Sequence, residues 1–409
     1  MEIVTYQPEQ DEKAVMRIFK EVGWIENKKQ EKGARIYFNG QRALIAKING
    51  EAECFAGTMP GVIKYLNKDL SFTAVTGVVT SRIARKQGLA GKLTARVIAR
   101  DAAEGALVAG LGIFEQGYYN RLGFGSGVYE NWINFDPANL VVDRQVRTPQ
   151  RLTADNYREI QQALEKRRRG HGSISITKIN SVQAELHWIK DGFGLGYFDG
   201  KNGELTHFIW CKSDGEIGPY EVVLYAFQEA DQFLELMALI KSFGDQIRMV
   251  RMREPAGIQV QDLIKQPFRW RQLTQKNKFE NINRATAYYQ IRICDLIGCM
   301  RKTHLPFGEA QFNLKLSDPI SNYLDNSSPW QGVAGDYIVT LGKVSNAHPG
   351  TNPDIPTLIA SVGAFTRLWM GVRPASGLAI TDDLKAPQEL IMELDVLLRL
   401  PEPKPEWDF

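Results

Sequence analysis

The stretch from Phe72 to Phe114, FTAVTGVVTSRIARKQGLAGKLTARVIARDAAEGALVAGLGIF, predicts the central unit of the fold. Residues 72–79 and 106–114 are apolar runs of the length that buried strands have. Between them, apolar residues recur at helical spacing from Leu89 until Gly105. Because a strand, a helix and a second strand in this order form a parallel crossover, the stretch predicts a βαβ unit.

The loop between the first strand and the helix combines glycine with positive charge. Residues 85–92 read RKQGLAGK and lie where the helix begins. A helix start has unpaired backbone N–H groups and the positive end of the helix dipole, and glycine lets a phosphate approach closely. The loop is therefore predicted to bind a phosphate group.

Two common phosphate motifs do not match this loop. A Walker A loop needs glycine five residues before the Gly91-Lys92 pair and Ser or Thr after it, but Lys86 and Leu93 occupy those positions. A dinucleotide fingerprint needs a second glycine where Ala90 stands. A phosphate ligand of another class is expected.

Length, charge and composition exclude several classes of protein. A chain of 409 residues is expected to form more than one domain, and we expect three. A net charge of +3 is too small for a protein that binds nucleic acid through a basic surface. No run has the roughly 18 apolar residues of a membrane span, which predicts a cytoplasmic protein with no membrane partner. The cysteines and histidines lack ligand spacing, so no metal site is predicted.

The order of predicted elements divides the chain into three parts. The segment 136–149 contains prolines and little periodicity, and it marks the first boundary. From Thr153 the order of elements in the first part repeats, which predicts an internal repeat. From Tyr288 strands precede helices, as is typical of an α+β layer. The predicted fold class is mixed α/β and α+β, with domains at residues 1–145, 146–287 and 288–409.

Two segments of the first part resemble a known superfamily. Residues 85–90 match the pattern R/Q-x-x-G-x-G/A, and the segment Tyr118–Phe124, YYNRLGF, matches an aromatic-Tyr-x-x-x-Gly-Phe pattern. Both are similar to segments of the GNAT superfamily of acetyl-coenzyme A-dependent N-acetyltransferases. The resemblance implies that the first domain binds acetyl-coenzyme A as its acetyl donor.

The chemistry of such a site assigns roles to the segments around the loop. Backbone N–H groups and cations at the helix start would hold the diphosphate, and a free strand edge would pair with the pantetheine amides. That edge is free only if the two parallel strands diverge at their C-terminal ends, so that Phe114 and Glu115 face Val79 across a gap. The predicted acetyl-coenzyme A contacts are Val78, Val79, Thr80, Arg85, Lys86, Gln87, Gly88, Leu89, Ala90, Gly91, Phe114 and Glu115.

The whole chain resembles the Eis-like (enhanced intracellular survival) acetyltransferases. The resemblance rests on the segment 115–125 (E-x-x-x-Y-x-R-x-G-F-G), the RKQGLA loop, the segment LWMGVRPASGL at 368–378 and the aromatic C-terminus. It implies two tandem GNAT domains followed by a domain similar to sterol carrier protein.

The same resemblance implies a mechanism and an assembly. Tyr119 would be the general acid, and the terminal carboxylate of Phe409 the general base. The acceptor would be a primary amine of an aminoglycoside, polyamine or lysine-like molecule that attacks the thioester directly, and Glu115 and Asp408 are candidates to attract its charge. The family also implies a homo-oligomer, a hexamer.

The second copy differs from the first where a phosphate would bind. Its strand EVVLYAF runs into Gln228-Glu229-Ala230-Asp231, which has two carboxylates and no glycine. Because anions at a helix start satisfy the dipole and repel a pyrophosphate, this copy is predicted to be degenerate. An alternative hypothesis is a non-catalytic carrier that holds a lipid or coenzyme A, which a large apolar pocket within residues 290–400 would favour.

Overall fold

The computed structural model describes residues 1–115 and 117–407, so the predicted site residue Phe409 lies outside the described residues, as does Asp408. From the start of the chain to Ser126, the helices and strands are β1 (Glu2–Thr5), α1 (Pro8–Glu21), α2 (Lys28–Gly40), β2 (Arg42–Ile48), β3 (Glu51–Tyr65), β4 (Lys68–Thr80), α3 (Leu89–Ala103), β5 (Val108–Gly112) and β6 (Gly125–Ser126).

The middle of the chain continues with a second set of strands and helices. They are β7 (Glu130–Phe135), β8 (Gln150–Leu152), α4 (Tyr157–Lys166), β9 (Ile174–Ile176), α5 (Ile179–Trp188), β10 (Gly192–Tyr197), β11 (His207–Ser213), β12 (Tyr220–Ala226), α6 (Ala230–Ser242), β13 (Val250–Arg253), α7 (Pro267–Thr274) and β14 (Ile282–Thr286).

The last part of the chain mixes strands with short helices. They are β15 (Tyr289–Ile293), α8 (Leu296–Lys302), β16 (Ala310–Ser317), β17 (Gly335–Leu341), β18 (Asn346–Pro349), β19 (Thr357–Ser361), α9 (Val362–Trp369), α10 (Ala375–Thr381), β20 (Leu384–Lys385) and α11 (Gln388–Leu397).

These strands form three sheets. The first has the order β1-β2-β3-β4-β5-β15-β6, with β9 also paired to β3. The second has the order β14-β7-β13-β12-β11-β10-β8, and the third has the order β18-β17-β16-β19-β20. The fold is therefore mixed α/β with several sheets, as the sequence predicts.

Local sequence signals account for the elements that lead to the site. Asn49-Gly50 joins β2 to β3, and both residues have left-handed φ values, 53° and 84°, as a two-residue hairpin turn requires. The predicted βαβ unit is β4, α3 and β5, and β4 pairs with β5 in parallel. Helix α2 was not predicted from the sequence, and the Asn27 side chain caps it by accepting a hydrogen bond from Gln30 N.

Strands cross between the predicted parts of the chain. Strand β7, which precedes residue 146, pairs with β13 and β14 in the second sheet. Strand β15, which follows residue 288, pairs with β5 and β6 in the first sheet. The boundaries 1–145, 146–287 and 288–409 stay predictions; the first two sheets take strands from more than one of these ranges, while the third lies wholly within 288–409.

A buried ion pair fixes β15 against the third sheet. The guanidinium of Arg292 donates to the carboxylate of Asp318 at 2.6 Å, and neither side chain is exposed. Asp318 also accepts from the backbone N–H groups of Ile320 and Val333, at 3.1 and 3.0 Å. Because every oxygen of Asp318 has a partner, this pair is a fully hydrogen-bonded buried contact between two of the sheets.

Removing one member of this pair is predicted to destabilise the fold strongly. Asp318→Ala leaves the Arg292 charge buried without its partner, so the free energy of unfolding should fall by about 3–5 kcal/mol. The measurement is urea unfolding followed by circular dichroism, with the exposed Asp354→Ala as the control. A loss below about 1 kcal/mol in Asp318→Ala would show that this contact does not hold the sheets together.

Candidate active site

The two parallel strands of the βαβ unit diverge early. Strand β4 pairs with β5 only from Phe72 to Ala74, opposite Val108 to Gly110. On its other edge, β5 pairs with β15 along its whole length, Val108 to Gly112. Among the described residues, no strand pairs with the β5-facing edge of β4 beyond Ala74. The predicted divergence is therefore present in the structure.

A β-bulge accompanies the divergence. The register of β4 against β3 shifts so that Val79 lies opposite Phe55 and Thr76 opposite Gly57, and Gly77 has a left-handed φ of 68°. Bulges bend the strand that carries them and change the direction of its edge. The bulge precedes the predicted contact residues Val78, Val79 and Thr80, of which Val79 is buried and the other two are half-buried.

The loop after β4 exposes its backbone at the helix start. Arg85, Lys86, Gln87 and Gly88 are all exposed, and Lys86 and Gly88 have left-handed φ values of 61° and 73°. Gly88 is the N-cap of α3 and so provides no capping side chain. The N–H groups of the first turn of α3 consequently have no side-chain acceptor, which is the arrangement that binds phosphate.

The remaining loop residues divide between the core and the surface. Leu89, the first residue of α3, is 1% exposed because its side chain packs into the core. Only its backbone is available to a ligand. Gly91 is buried against Tyr323, and a Cβ atom added to Gly91 would lie 3.0 Å from the Tyr323 ring. Gly91 is thus required for packing against the third part of the chain. Nearby, Arg96 of α3 pairs with Asp325 at 2.7 Å. No sequence pattern predicts this contact.

Tyr119 lies in the buried core near the point where β4 and β5 diverge. It begins a 3-10 turn, Tyr119–Leu122, that ends at Gly123 with a left-handed φ of 79°. Tyr119 is 7% exposed and belongs to a buried cluster with Val75 of β4 and Leu111 of β5. Burial, and secondarily Tyr118, raises the pKa of Tyr119 well above the usual value of 10, so its hydroxyl stays protonated throughout the physiological range.

Tyr118 was not predicted as a site residue, yet it lies at the same opening. Its ring meets the ring of Tyr119 edge to face, with centroids 4.9 Å apart, and its hydroxyl would be 3.9 Å from a Cβ on Gly91. Burial, followed by the nearby Cys54, raises the pKa of Tyr118 to about 12. The sequence pattern assigns a site role to Tyr119 alone, so the position of Tyr118 at the opening follows only from the fold.

Phe114 and Glu115 follow β5 on the other side of the opening. Both are exposed, Phe114 to 90%. Among the described residues, no hydrogen bond or strand pairing joins either residue to Val79, so the backbone of the two strands stays separated here. An apolar ring with this exposure beside a free strand edge is suited to contact with a bound substrate.

Comparison with known proteins agrees with this geometry. Residues 4–127 match the family profile described as acetyltransferase (GNAT) domain. Residues 4–127 thus form a GNAT acetyltransferase domain. Through this domain the chain is an acyltransferase. No curated protein matches the chain.

Solved structures share the fold over the whole chain. A probable N-acyltransferase of unknown function from Enterococcus faecalis V583 is 16% identical, with a TM-score of 0.78, and the match covers 100% of this chain and 99% of that one. Eis1 from Mycobacterium abscessus is 14% identical, with a TM-score of 0.76 and 100% of both chains covered. A GCN5-related N-acetyltransferase from Kribbella flavida is 16% identical, with a TM-score of 0.76 and coverage of 100% and 98%.

The second copy has the same divergence without the phosphate loop. Strand β12 pairs in parallel with β13 only over Tyr220–Val222, and its register against β11 shifts immediately afterwards. At the start of α6, however, the Gln232 side chain accepts from the N–H groups of Gln228 and Glu229, at 2.7 and 3.4 Å, and Asp231 lies in the first turn. Side chains of the chain itself thus occupy the helix start that a phosphate would need.

The C-terminal segment returns to the first domain. Pro405 O accepts from Ile174 N at 2.8 Å, and Lys404 N donates to His171 O at 3.1 Å. Trp407 O accepts from the hydroxyl of Tyr288 at 3.4 Å. Tyr288 O in turn accepts from Ile113 N, directly after β5, at 2.6 Å. The segment is therefore held through Trp407 and is connected to the end of β5 through Tyr288.

Potential metal ligands converge at one place in the described residues. Ligand atoms of Asp199, His207 and Glu235 lie within 4.8 Å of one another. The guanidinium of Arg147 pairs with both carboxylates at 2.6 Å. Because Arg147 already supplies the positive charge, the cluster is an ion-pair network that lies outside the site of the first domain.

Within the described residues, no helix is both long enough and apolar enough to cross a membrane.

The environment of His171 predicts an acid-dependent loss of stability. The ring is 5% exposed; Nδ1 accepts from Leu66 N at 2.9 Å, and Nε2 lies 2.9 Å from Met370 O. Burial lowers the pKa of His171 from 6.5 to about 4. The unfolded chain therefore takes up a proton first, and stability that is complete above pH 6.5 is lost as the pH falls towards 4, by about 3 kcal/mol.

This loss is measurable by urea unfolding between about pH 7 and pH 4.5. In His171→Gln, which does not titrate, the decline in the free energy of unfolding over this range should be smaller by about 2–3 kcal/mol. The exposed His304→Gln is the matched control and should decline as the native protein does. Equal slopes in all three proteins would contradict the assignment.

Proposed function

We propose that this acyltransferase moves an acetyl group from acetyl-coenzyme A to a primary amine by direct attack. The observation that carries the proposal is the free edge of β4 beyond Ala74, beside a helix start that is capped by Gly88 alone. An extended amide-bearing arm fits the edge, and a diphosphate fits the helix start. Acetyl-coenzyme A joins these two groups in one molecule.

The contacts of the donor follow from the positions of the loop and the strands. Arg85 and Lys86 are exposed beside the helix start, and they would pair with the diphosphate that accepts from the N–H groups of residues 87–91. Val78, Val79 and Thr80 would pair with the pantetheine amides through their backbone. Phe114 and Glu115 would cover the opposite side of the arm. All twelve sequence-predicted contacts stay in the proposal, with Leu89 and Gly91 acting through the backbone.

The proposed reaction forms one C–N bond and breaks one C–S bond. The amine nitrogen attacks the thioester carbonyl carbon, the base takes the amine proton, and the thiolate of coenzyme A leaves. The Tyr119 hydroxyl then donates to the sulfur. Because burial raises the pKa of Tyr119 above the thiol range, the proposed role of Tyr119 starts with a hydrogen bond to the departing sulfur, and proton transfer follows. The buried Tyr119 is therefore a weaker acid than an exposed tyrosine, whose pKa is near 10.

The proposed base is the carboxylate of Phe409. Its usual pKa, about 3.3–3.7, makes it weak unless it is desolvated or acts through water. The C-terminal segment is held through Trp407 by the hydroxyl of Tyr288, whose carbonyl is bonded to Ile113. A chain of two further residues spans at most about 7 Å, so the proposal requires the amine site to lie within that distance of Trp407.

The proposed acceptor is a multi-amine of the aminoglycoside, polyamine or lysine-like class. Glu115 is exposed beside the opening and would attract a second ammonium group of such a molecule. A cytoplasmic location, a hexameric homo-oligomer, a degenerate second GNAT domain and a third domain similar to sterol carrier protein also belong to the proposal, and the resemblance to Eis-like enzymes supports them.

The alternative function, a non-catalytic carrier, is not favoured. The inner face of the third sheet packs into a closed core in which Phe312, Leu314, Val339, Phe365 and Trp369 are each at most 1% exposed. Side chains fill the space that a lipid would need. The cavity that the third part shares with the first is lined largely by polar groups, among them Asn120, Ser317 and Asp383.

A glycine pair tests the phosphate loop. Gly88→Ala should raise KM for acetyl-coenzyme A about tenfold, because a methyl group at the helix start strains the loop and obstructs the diphosphate. Gly105→Ala is the matched control, since Gly105 lies beyond the other end of α3, also has a left-handed φ and also faces open space. If both variants raise KM equally, backbone strain and not phosphate binding explains the effect.

The acid assignment is tested by Tyr119→Phe. Coenzyme A release should slow by about 100-fold in kcat, with KM for acetyl-coenzyme A nearly unchanged, because only the leaving sulfur loses its donor. Tyr129→Phe, at a 53% exposed tyrosine, is the control. Turnover within threefold of native in Tyr119→Phe would exclude Tyr119 as the acid and leave the donor site untouched.

A further inference from the structure

The C-terminal segment occupies the cleft of the second copy. Beyond Val222 the edge of β12 no longer pairs with β13, and residues 223–227 form one wall of a narrow cleft. The end of α4 and Arg253 of β13 form other walls, and Glu406 and Trp407 line what remains open of the cleft. The place that would hold a pantetheine arm in the first copy is thus filled by the chain itself.

Polar contacts hold the segment in this cleft. Glu406 Oε1 accepts from Ala256 N at 3.0 Å. Arg167, at the end of α4, is buried and donates to Leu164 O and Ile174 O, both at 2.6 Å. Burial lowers the pKa of Arg167, and the Glu406 carboxylate is the anion that opposes this shift. Glu406 therefore supplies both a hydrogen-bond acceptor and a counter-charge inside the cleft.

Trp407 connects this cleft to the first one. Its carbonyl accepts from the hydroxyl of Tyr288, whose own carbonyl accepts from Ile113 N after β5. The guanidinium of Arg253, at the diverging end of β13, lies 5.3 Å from the centre of the Tyr288 ring. One short path of contacts thus joins the divergence of the second copy to the end of β5 in the first.

We propose that the cleft of the second copy holds the C-terminal segment up to Trp407, with Glu406 as a positioning residue for the terminal base. This rests on the proposed function, in which Phe409 carries the base. It explains why the second copy keeps the strand divergence although side chains occupy its phosphate position. The segment takes the place of the substrate arm.

The test compares Glu406→Ala with Glu402→Ala, a half-exposed glutamate of the same segment. Hydrogen exchange is measured for peptides that contain Ile174 and Ala256, and kcat and KM are measured with acetyl-coenzyme A and with spermidine, kanamycin or lysine as acceptor. In Glu406→Ala, both peptides should exchange at least fivefold faster, and kcat should fall at least tenfold with KM for acetyl-coenzyme A within twofold. Glu402→Ala should match the native protein.

Deletion of residues 408–409 separates the two proposals. It should lower kcat while exchange at Ile174 and Ala256 stays native. Full turnover in the deletion variant would refute the base assignment but not the seating of the segment. Native exchange in Glu406→Ala would overturn the seating itself. Faster exchange with native kcat, when the deletion variant is inactive, would overturn the positioning role.

Discussion

The site depends on the divergence of β4 from β5 after three residue pairs. A strand edge within a sheet normally has its N–H and C=O groups bonded to a neighbour, and a free edge accepts any extended chain that fits. Here β15 pairs with the whole of β5 along its opposite edge and so holds β5 in the sheet, while the edge of β4 stays free beyond Ala74. The bulge at Gly77 turns the free edge of β4, and α3 begins beside it with bare N–H groups.

The same divergence occurs in the second copy, where the free edge of β12 faces the C-terminal segment of the chain itself. At α6 the Gln232 side chain takes the N–H groups that a phosphate would need, and the C-terminal segment lies in the cleft. The two copies therefore share the order of strands and helices and the strand divergence, and they differ in the groups that contact the free edge and the helix start. A few side chains at the helix start decide whether its N–H groups are free, and the proposed diphosphate site rests on this difference.

The sequence predicted the parts of the site that are close together in the chain. These parts are the βαβ unit, its glycine-rich loop and the Tyr119 turn, all within residues 72–124. Hydrophobic periodicity and turn residues predict such local structure. The sequence did not predict the insertion of β15 into the first sheet, the packing of Tyr323 on Gly91 or the role of Tyr118. These depend on long-range pairing, and an apolar strand shows no preference for one sheet edge over another. The raised pKa of Tyr119 also follows from burial, which a motif does not show.

The position of β15 has a consequence for how this protein can be divided. The linear order of the chain and the spatial order of its sheets differ, because a strand from beyond residue 288 lies between β5 and β6, and β7 lies in the second sheet. A fragment that ends before β15 would expose the backbone of β5 to solvent or to other molecules. The first two sheets therefore each contain strands from more than one predicted domain. Exchanging one predicted domain between related proteins would require exchanging strands of its neighbours as well.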